Sequence, residues 1–283
     1  MIMAKFSRLR PLVTLGVGAT CGSLVTYYYY GFNKTELSDG NQQRHYNISE
    51  NKQSKWDANW DRRQPVSIVK SPYPDNTQNH NSSDGKVSQA VRYIFLIRHG
   101  QYNTKGETDK ERQLTELGRK QALLTGERLS ALKLPWTSIA QSTMTRAMET
   151  CSLIQKHLPG DIPVSSTDLL REGAPIPPDP PHPRWKPDDY EFYQEGAQIE
   201  AAFRKFFHRA PPEQTEDSYE IIVCHANVIR YFVMRALQLP PEAWLRLSLD
   251  HASITSLAIP PGGHVILFNY SNSGYMPPDA ISY

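Results

Sequence analysis

Two short apolar runs do most to limit what this chain can fold into. Val91-Arg92-Tyr93-Ile94-Phe95-Leu96-Ile97 and Tyr219-Glu220-Ile221-Ile222-Val223-Cys224 are rich in β-branched and aromatic residues and far too short to cross a bilayer. Each reads as a strand buried on both faces, the pattern of a parallel sheet covered by helices. Each also stops at a histidine: Arg98-His99-Gly100 follows the first run and His225-Ala226 the second. In open α/β sheets ligands sit outside the carboxyl ends of the strands, so both imidazoles stand where chemistry is expected.

The segments between these strands carry helical spacing. Leu114-Thr115-Glu116-Leu117-Gly118 opens a helix with Thr115 as N-cap, and Ala122, Leu123, Leu129 and Leu132 supply its apolar stripe. Residues 136–141 read as another strand. Ser142-Thr143-Met144-Thr145-Arg146-Ala147 then starts a helix ending near Leu158-Pro159-Gly160. Ser142 is its expected cap, which puts Arg146 near a helix N-terminus suited to anions. Helices are expected over 190–210, with Ile199, Ala202, Phe203, Phe206 and Phe207 inward, and over 226–239. Residues 254–259 and 264–268 form a hairpin turning at Pro261-Gly262-Gly263. The prolines of residues 174–181 exclude helix and central strand and predict a stiff extended loop. The alternation implies an α/β fold with a mostly parallel sheet flanked by helices.

The first third of the chain is of another kind. No charged residue occurs from Pro11 to Asn33, while Lys5, Arg8 and Arg10 precede that stretch without an acid among them. Residues 11–33 therefore read as a membrane anchor with a basic N-terminus (1–10) on the matrix or cytosolic side. No small-residue cleavage site ends the run, which separates it from a removed leader. Residues 34–90 are polar, lack an apolar period and read as a mostly disordered linker. One motif interrupts it, Trp56-Asp57-Ala58-Asn59-Trp60-Asp61-Arg62-Arg63. Exposed tryptophans are unusual and tryptophan is a favoured interface anchor, so this is either a docking motif for a groove on this chain or a neighbour, or an amphipathic turn packed on its own domain.

Composition removes several function classes. Among 283 residues the three cysteines, Cys21, Cys151 and Cys224, form no C-x-x-C pair, which excludes a disulfide scaffold or a cysteine-built zinc site. A net charge of +2 gives no support to a nucleic-acid binder relying on bulk positive charge. Acidic side chains outnumber basic ones after residue 90, so an anionic substrate needs a local cluster of cations there.

The joint pattern of Leu96-Ile97-Arg98-His99-Gly100, Leu114-Thr115-Glu116-Leu117-Gly118 with Gln121, Ser142-Thr143-Met144-Thr145-Arg146-Ala147 with Glu149-Thr150, and Cys224-His225-Ala226-Asn227-Val228 resembles the histidine phosphatase superfamily, in its phosphoglycerate-mutase-like branch. Leu169 to Pro178, Trp185-Lys186-Pro187, Trp244-Leu245-Arg246 and Gly274-Tyr275-Met276-Pro277-Pro278, with the WDANWDRR segment and the N-terminal anchor, resemble the mitochondrial serine/threonine protein phosphatases of that branch. The resemblance implies a three-layer sandwich over residues 91–283. In it His99 carries the phosphoryl group, His225, Arg98 and Arg146 bind phosphate, and Glu172 is the general acid, with a pKa raised by burial. It implies no metal and no cofactor, because the cations are borne by the protein.

The resemblance also implies phosphoserine- and phosphothreonine-bearing substrates, kinases among them, and a homo-oligomer made through Trp56, Asp57, Asn59, Trp60 and Asp61. It places the chain as a single-pass protein of a mitochondrial membrane, outer before inner, acting in mitochondrial quality control or cell death. Two departures stand out. Ala226 replaces a frequent glycine beside the second histidine, and Gln101 replaces a frequent glutamate, which bears on substrate choice. A small-molecule phosphatase or mutase on the same fold, and a weakly active scaffold, are the competing readings.

Overall fold

The computed structural model describes residues 55–63 and 87–283, which fall in one compact unit, Ser54–Tyr283. The basic N-terminus, the expected anchor at 11–33 and most of the linker lie outside the described residues. Among those described, no helix is long and apolar enough to cross a membrane.

A six-stranded sheet organises the domain, in the order β3-β2-β4-β1-β5-β6. The strands are β1 (Arg92–Arg98), β2 (Ser138–Ser142), β3 (Val164–Thr167), β4 (Ser218–Cys224), β5 (Ile254–Ile259) and β6 (Ile266–Asn272). The four strands from β3 to β1 are parallel, whereas β5 enters antiparallel to β1 and forms the expected hairpin with β6. The sheet is therefore mixed, its parallel part being the half that carries both histidines. Gly263, in the hairpin turn, has a φ of +79° that favours glycine.

The helices are α1 (Glu116–Ala131), α2 (Thr145–Gln155), α3 (Asp189–Phe206) and α4 (Ala226–Ala236). Thr115 caps α1 as its spacing predicts, its side chain accepting from the Gly118 N–H. Ser142 does not cap α2. It is the last residue of β2, and α2 begins after Met144 with no side-chain cap. Helices α3 and α4 end earlier than periodicity suggests, since Phe207 and Leu237 leave helical backbone or close the last turn. Period-2 burial divides the central strands between two layers. Ile94 and Leu96 of β1 and Ile222 and Cys224 of β4 join Ile199, Phe203, Ile229 and Phe232 of α3 and α4 in one core. Phe95, Ile97, Ile221 and Val223 are buried too and face the other side.

β3 had no sequence signal. Val164 to Ser166 are exposed, and the strand is held by backbone pairing to β2 at the sheet edge. The proline-rich loop is packed rather than free: Trp244 Nε1 donates to Ile176 O at 3.0 Å, and the Trp185 ring stands edge-on to Trp244 at 5.5 Å. Gly274 to Pro278 is also packed, with Met276 and Ala280 buried against Ala252.

Candidate active site

Strand register brings the two distant imidazoles together. Arg98 pairs with Cys224 across β1 and β4, so the next residue of each strand, His99 and His225, leaves the sheet beside the other. The His99 N–H donates to Cys224 O at 3.0 Å, and the ring centroids lie 5.1 Å apart. Behind His99 the chain packs backbone on backbone: a Cβ on Gly118 would sit 1.9 Å from Gln101 O, and one on Gly100 would sit 2.5 Å from Gly118 O. Those glycines let α1 press the Arg98-His99-Gly100 turn into place.

His99 is 2% exposed and His225 fully buried. His99 Nδ1 lies 2.9 Å from Gly100 O, a carbonyl that only accepts, so Nδ1 carries the proton and the Nε2 lone pair is available to attack. Burial first, then the charges of His225, Arg146 and Arg98, push the His99 pKa well below the usual imidazole value. Burial and then Arg146, Arg171 and Arg98 lower His225, whose Nε2 lies 2.8 Å from Ser142 Oγ and whose Nδ1 has no partner.

Two guanidinium groups enter from different elements. Arg98, at the end of β1, donates Nη1 to Leu249 O, while its Nε is buried without a partner. Arg146, in the first turn of α2, is 3% exposed, with neither Nε nor Nη1 hydrogen-bonded. Burial lowers both arginines, Arg98 to about 10, which leaves each charged at neutral pH. Buried donors without partners are costly in a protein interior, and such a cost is understandable where a phosphate would accept from them. Glu172 lies in the loop after the short turn Asp168–Leu170. Burial raises its pKa against the opposing pull of Arg146 and Arg98 and of the Gly173 and Asn227 N–H groups that donate to its Oε1. A neutral nucleophile, fixed cations and a carboxyl group whose pKa is raised suit displacement at a phosphoryl centre.

The site includes residues that sequence reasoning passed over. Tyr102 stands edge-on to His99 at 5.1 Å and carries the Arg146 guanidinium over its face at 4.6 Å. His251 lies 5.8 Å from His99, held by Ser282 Oγ at 3.0 Å, with its pKa pushed down to about 3 by burial and then by Arg98. Neither belongs to a periodic pattern or an expected motif, so only their place in space marks them. Gln101 takes a structural contact, its side-chain carbonyl accepting from the Thr115 hydroxyl at 2.8 Å. Cys151 and Cys224 are buried free thiols.

The WDANWD segment is not at this pocket but on the same domain. Trp60 Nε1 donates to Gly263 O at 2.8 Å and the ring packs on Phe203 at 5.9 Å. Trp56 stacks on His264 at 5.6 Å. Asp57 exchanges two hydrogen bonds with the Gln238 side chain, at 2.8 and 2.9 Å. The Asp61 side chain is fully buried and ion-paired with Arg209. Burial works against the Asp61 carboxylate, but Arg209 outweighs it and holds its pKa below the ordinary value.

Comparison with known proteins gives the family. The family model described as histidine phosphatase superfamily (branch 1) matches residues 94–175 and 177–271. The mitochondrial serine/threonine-protein phosphatase PGAM5 of Rattus norvegicus is 56% identical over 237 residues, 80% of this chain and 80% of that protein. Its Homo sapiens counterpart is 54% identical over the same length, again 80% of each. The solved structure of the open reading frame Rv3214 product from Mycobacterium tuberculosis is similar in fold, with a TM-score of 0.50, 24% identity, and coverage of 65% of this chain and 98% of that one. This chain belongs to branch 1 of the histidine phosphatase superfamily.

Proposed function

We propose that the protein is a serine/threonine phosphoprotein phosphatase that works through a phosphohistidine. The observation that carries this is that His99, His225, Arg98, Arg146 and Glu172 are electrostatic neighbours at the carboxyl end of the parallel strands, with the two rings 5.1 Å apart. The names of the similar rat and human proteins supply the substrate class and the mitochondrial location.

In the first step His99 Nε2 attacks phosphorus and the bond from phosphorus to the seryl or threonyl oxygen breaks. That oxygen takes the Glu172 proton and leaves as a hydroxyl. In the second step water attacks the phosphorus of phosphohistidine while the Glu172 carboxylate removes a proton from it. The phosphorus–nitrogen bond breaks, returning neutral His99, protonated Glu172 and inorganic phosphate. Arg98, Arg146 and His225 hold the equatorial oxygens throughout. The test is phosphate release from a phosphothreonine peptide, with acid quench to trap an acid-labile phosphoenzyme. Wild type should form it and His99→Ala should not. A phosphoenzyme retained in His99→Ala, or turnover confined to sugar or glycerate phosphates, would overturn the reading.

Residues 11–33 are proposed to tether this domain to a mitochondrial membrane, for roles in quality control or cell death. The WDANWD segment, which rests on its own domain in the single chain, is proposed to take the equivalent seat on a neighbouring copy by exchange, making the homo-oligomer. Its seat supports a link to rate, because Asp57 grips Gln238 just past the C-terminal end of α4, whose N-terminal end holds His225. Trp60→Ala should lower oligomer size and phosphatase rate together; both unchanged would reject this.

A further inference from the structure

We infer that Asn227 is a positioning residue for Glu172, holding the acid within reach of the leaving oxygen and away from the arginines. The inference rests on the assignment of Glu172 as general acid above. Asn227 lies in the first turn of α4, two residues after His225. Its Nδ2 donates to Gly173 O at 3.0 Å, and its backbone N–H donates to Glu172 Oε1 at 3.2 Å. The Oδ1 accepts from Arg230 Nη1 at 3.4 Å, which sets the orientation of the amide. One residue thus ties the acid-bearing loop to the helix that begins at His225.

The loop is pinned from the other side as well. The Ala174 N–H donates to Glu195 Oε2 at 2.6 Å, and a Cβ on Gly173 would sit 2.9 Å from that carboxylate. With Glu195 on α3 and Asn227 on α4, the Gly173–Ala174 peptide, next after Glu172, is held from both its C=O and its N–H between two helices rather than on a free loop.

The electrostatics show why such a hold is needed. Arg98 and Arg146 both attract the Glu172 carboxylate, yet Glu172 forms no ion pair with either among the described residues. Contact with a guanidinium would ionise it and remove the proton that the leaving oxygen requires. An alkoxide leaving group also needs its acid within hydrogen-bond distance, and a misplacement of about 1 Å can slow a reaction by roughly a hundredfold. The Asn227 side chain supplies distance and separation through its bond to Gly173 O, whereas its backbone N–H, which favours the carboxylate, stays the same whatever side chain stands there.

Leaving groups separate this role from simple structural damage. A seryl oxygen needs a proton as it departs, whereas p-nitrophenolate leaves without one. The readout is therefore the ratio of kcat/KM for a phosphoserine peptide to kcat/KM for p-nitrophenyl phosphate, measured on the full chain, because kcat/KM stops at the first phosphoryl transfer and leaves out the second step, in which Glu172 also acts. That ratio does not depend on the fraction of enzyme folded. Asn227→Asp keeps the shape and the acceptor for Arg230 but loses the donor to Gly173 O, and Asn227→Ala loses both. Each should lower the ratio by about tenfold or more. In Asn227→Ala the high-pH limb of kcat/KM should also move to lower pH, as the released carboxylate approaches the arginines.

Glu172→Gln serves as the reference, with an expected fall in the ratio of about a hundredfold. Adding Asn227→Asp to it should lower the ratio no further, because the two act through one group. If Glu172→Gln lowers the ratio while both Asn227 variants stay within about threefold of wild type, the positioning role is wrong and the acid assignment stands. If Glu172→Gln leaves the ratio unchanged, the acid assignment fails and the positioning role with it.

Discussion

Arg146 and Arg209 are both buried arginines beside an aspartate, and they are used in opposite ways. Arg209 gives its backbone N–H, Nε and Nη2 to Asp61, with Asn59 Oδ1 at 3.5 Å from Nη2, and none of its buried nitrogens lacks a partner. Arg146 stands 3.9 Å from Asp109 at its nearest, lies over Tyr102, and leaves Nε and Nη1 unengaged. The first arrangement is a saturated clasp between a peptide segment and the domain surface. The second keeps donors and charge in a low-dielectric pocket, where they act strongly on any anion that enters. Burial alone therefore does not distinguish a structural arginine from a functional one; the state of its donors does.

The comparison breaks most visibly at the nucleophile. His99→Ala should reduce phosphate release by more than about a thousandfold, read by malachite green on phosphothreonine peptide, with little change in unfolding temperature. Arg146→Ala comes next: kcat/KM should fall by about a hundredfold or more with no loss of thermal stability, because the side chain it removes has unengaged buried donors. Arg209→Ala should do the reverse at its own site. Removing one partner of a buried pair costs about 3–5 kcal/mol, so the Trp56–Asp61 segment should detach, and limited proteolysis there should accelerate by at least about tenfold. An Arg209 variant whose segment stays protected would erase the contrast.

Two smaller effects sharpen it. Glu172 has a raised pKa in the folded protein, so its acid form persists above the usual carboxylate range and is lost as pH rises through that raised value. His99 has a depressed pKa, so its neutral form is lost only as pH falls well below the ordinary imidazole range. The pH profile of kcat/KM should therefore decline on the alkaline side, and Glu172→Gln should flatten that decline while leaving the acid side in place. Tyr102→Leu removes the face on which Arg146 rests and should raise KM by up to about tenfold, the scale of a partly desolvated cation–π contact.

Much of the fold was legible because it rests on local rules. Continuous apolar runs marked β1 and β4, Thr115 marked the start of α1, and Pro261-Gly262-Gly263 marked the hairpin turn. β3 was invisible, since an exposed edge strand is held by backbone hydrogen bonds and needs no apolar pattern. Ser142 looked like a cap because capping residues are recognised by type. In the structure its hydroxyl lies 2.8 Å from His225 and accepts from the Met144 N–H, a choice made by β2 continuing one residue further. The contacts of Tyr102 with Arg146, His251 with His99 and Asn227 with Gly173 join residues distant in the chain.

Periodicity and capping act over a few neighbouring residues, and so the residues alone marked β1, β4, the hairpin turn, the start of α1 and which residue types stand at strand ends. Tertiary structure alone decided the pairing of Arg98 with Cys224 that sets two imidazoles side by side, and which buried arginine is saturated and which is not. Register, desolvation and hydrogen-bond partners arise between segments far apart along the chain, so no short window of sequence contains them.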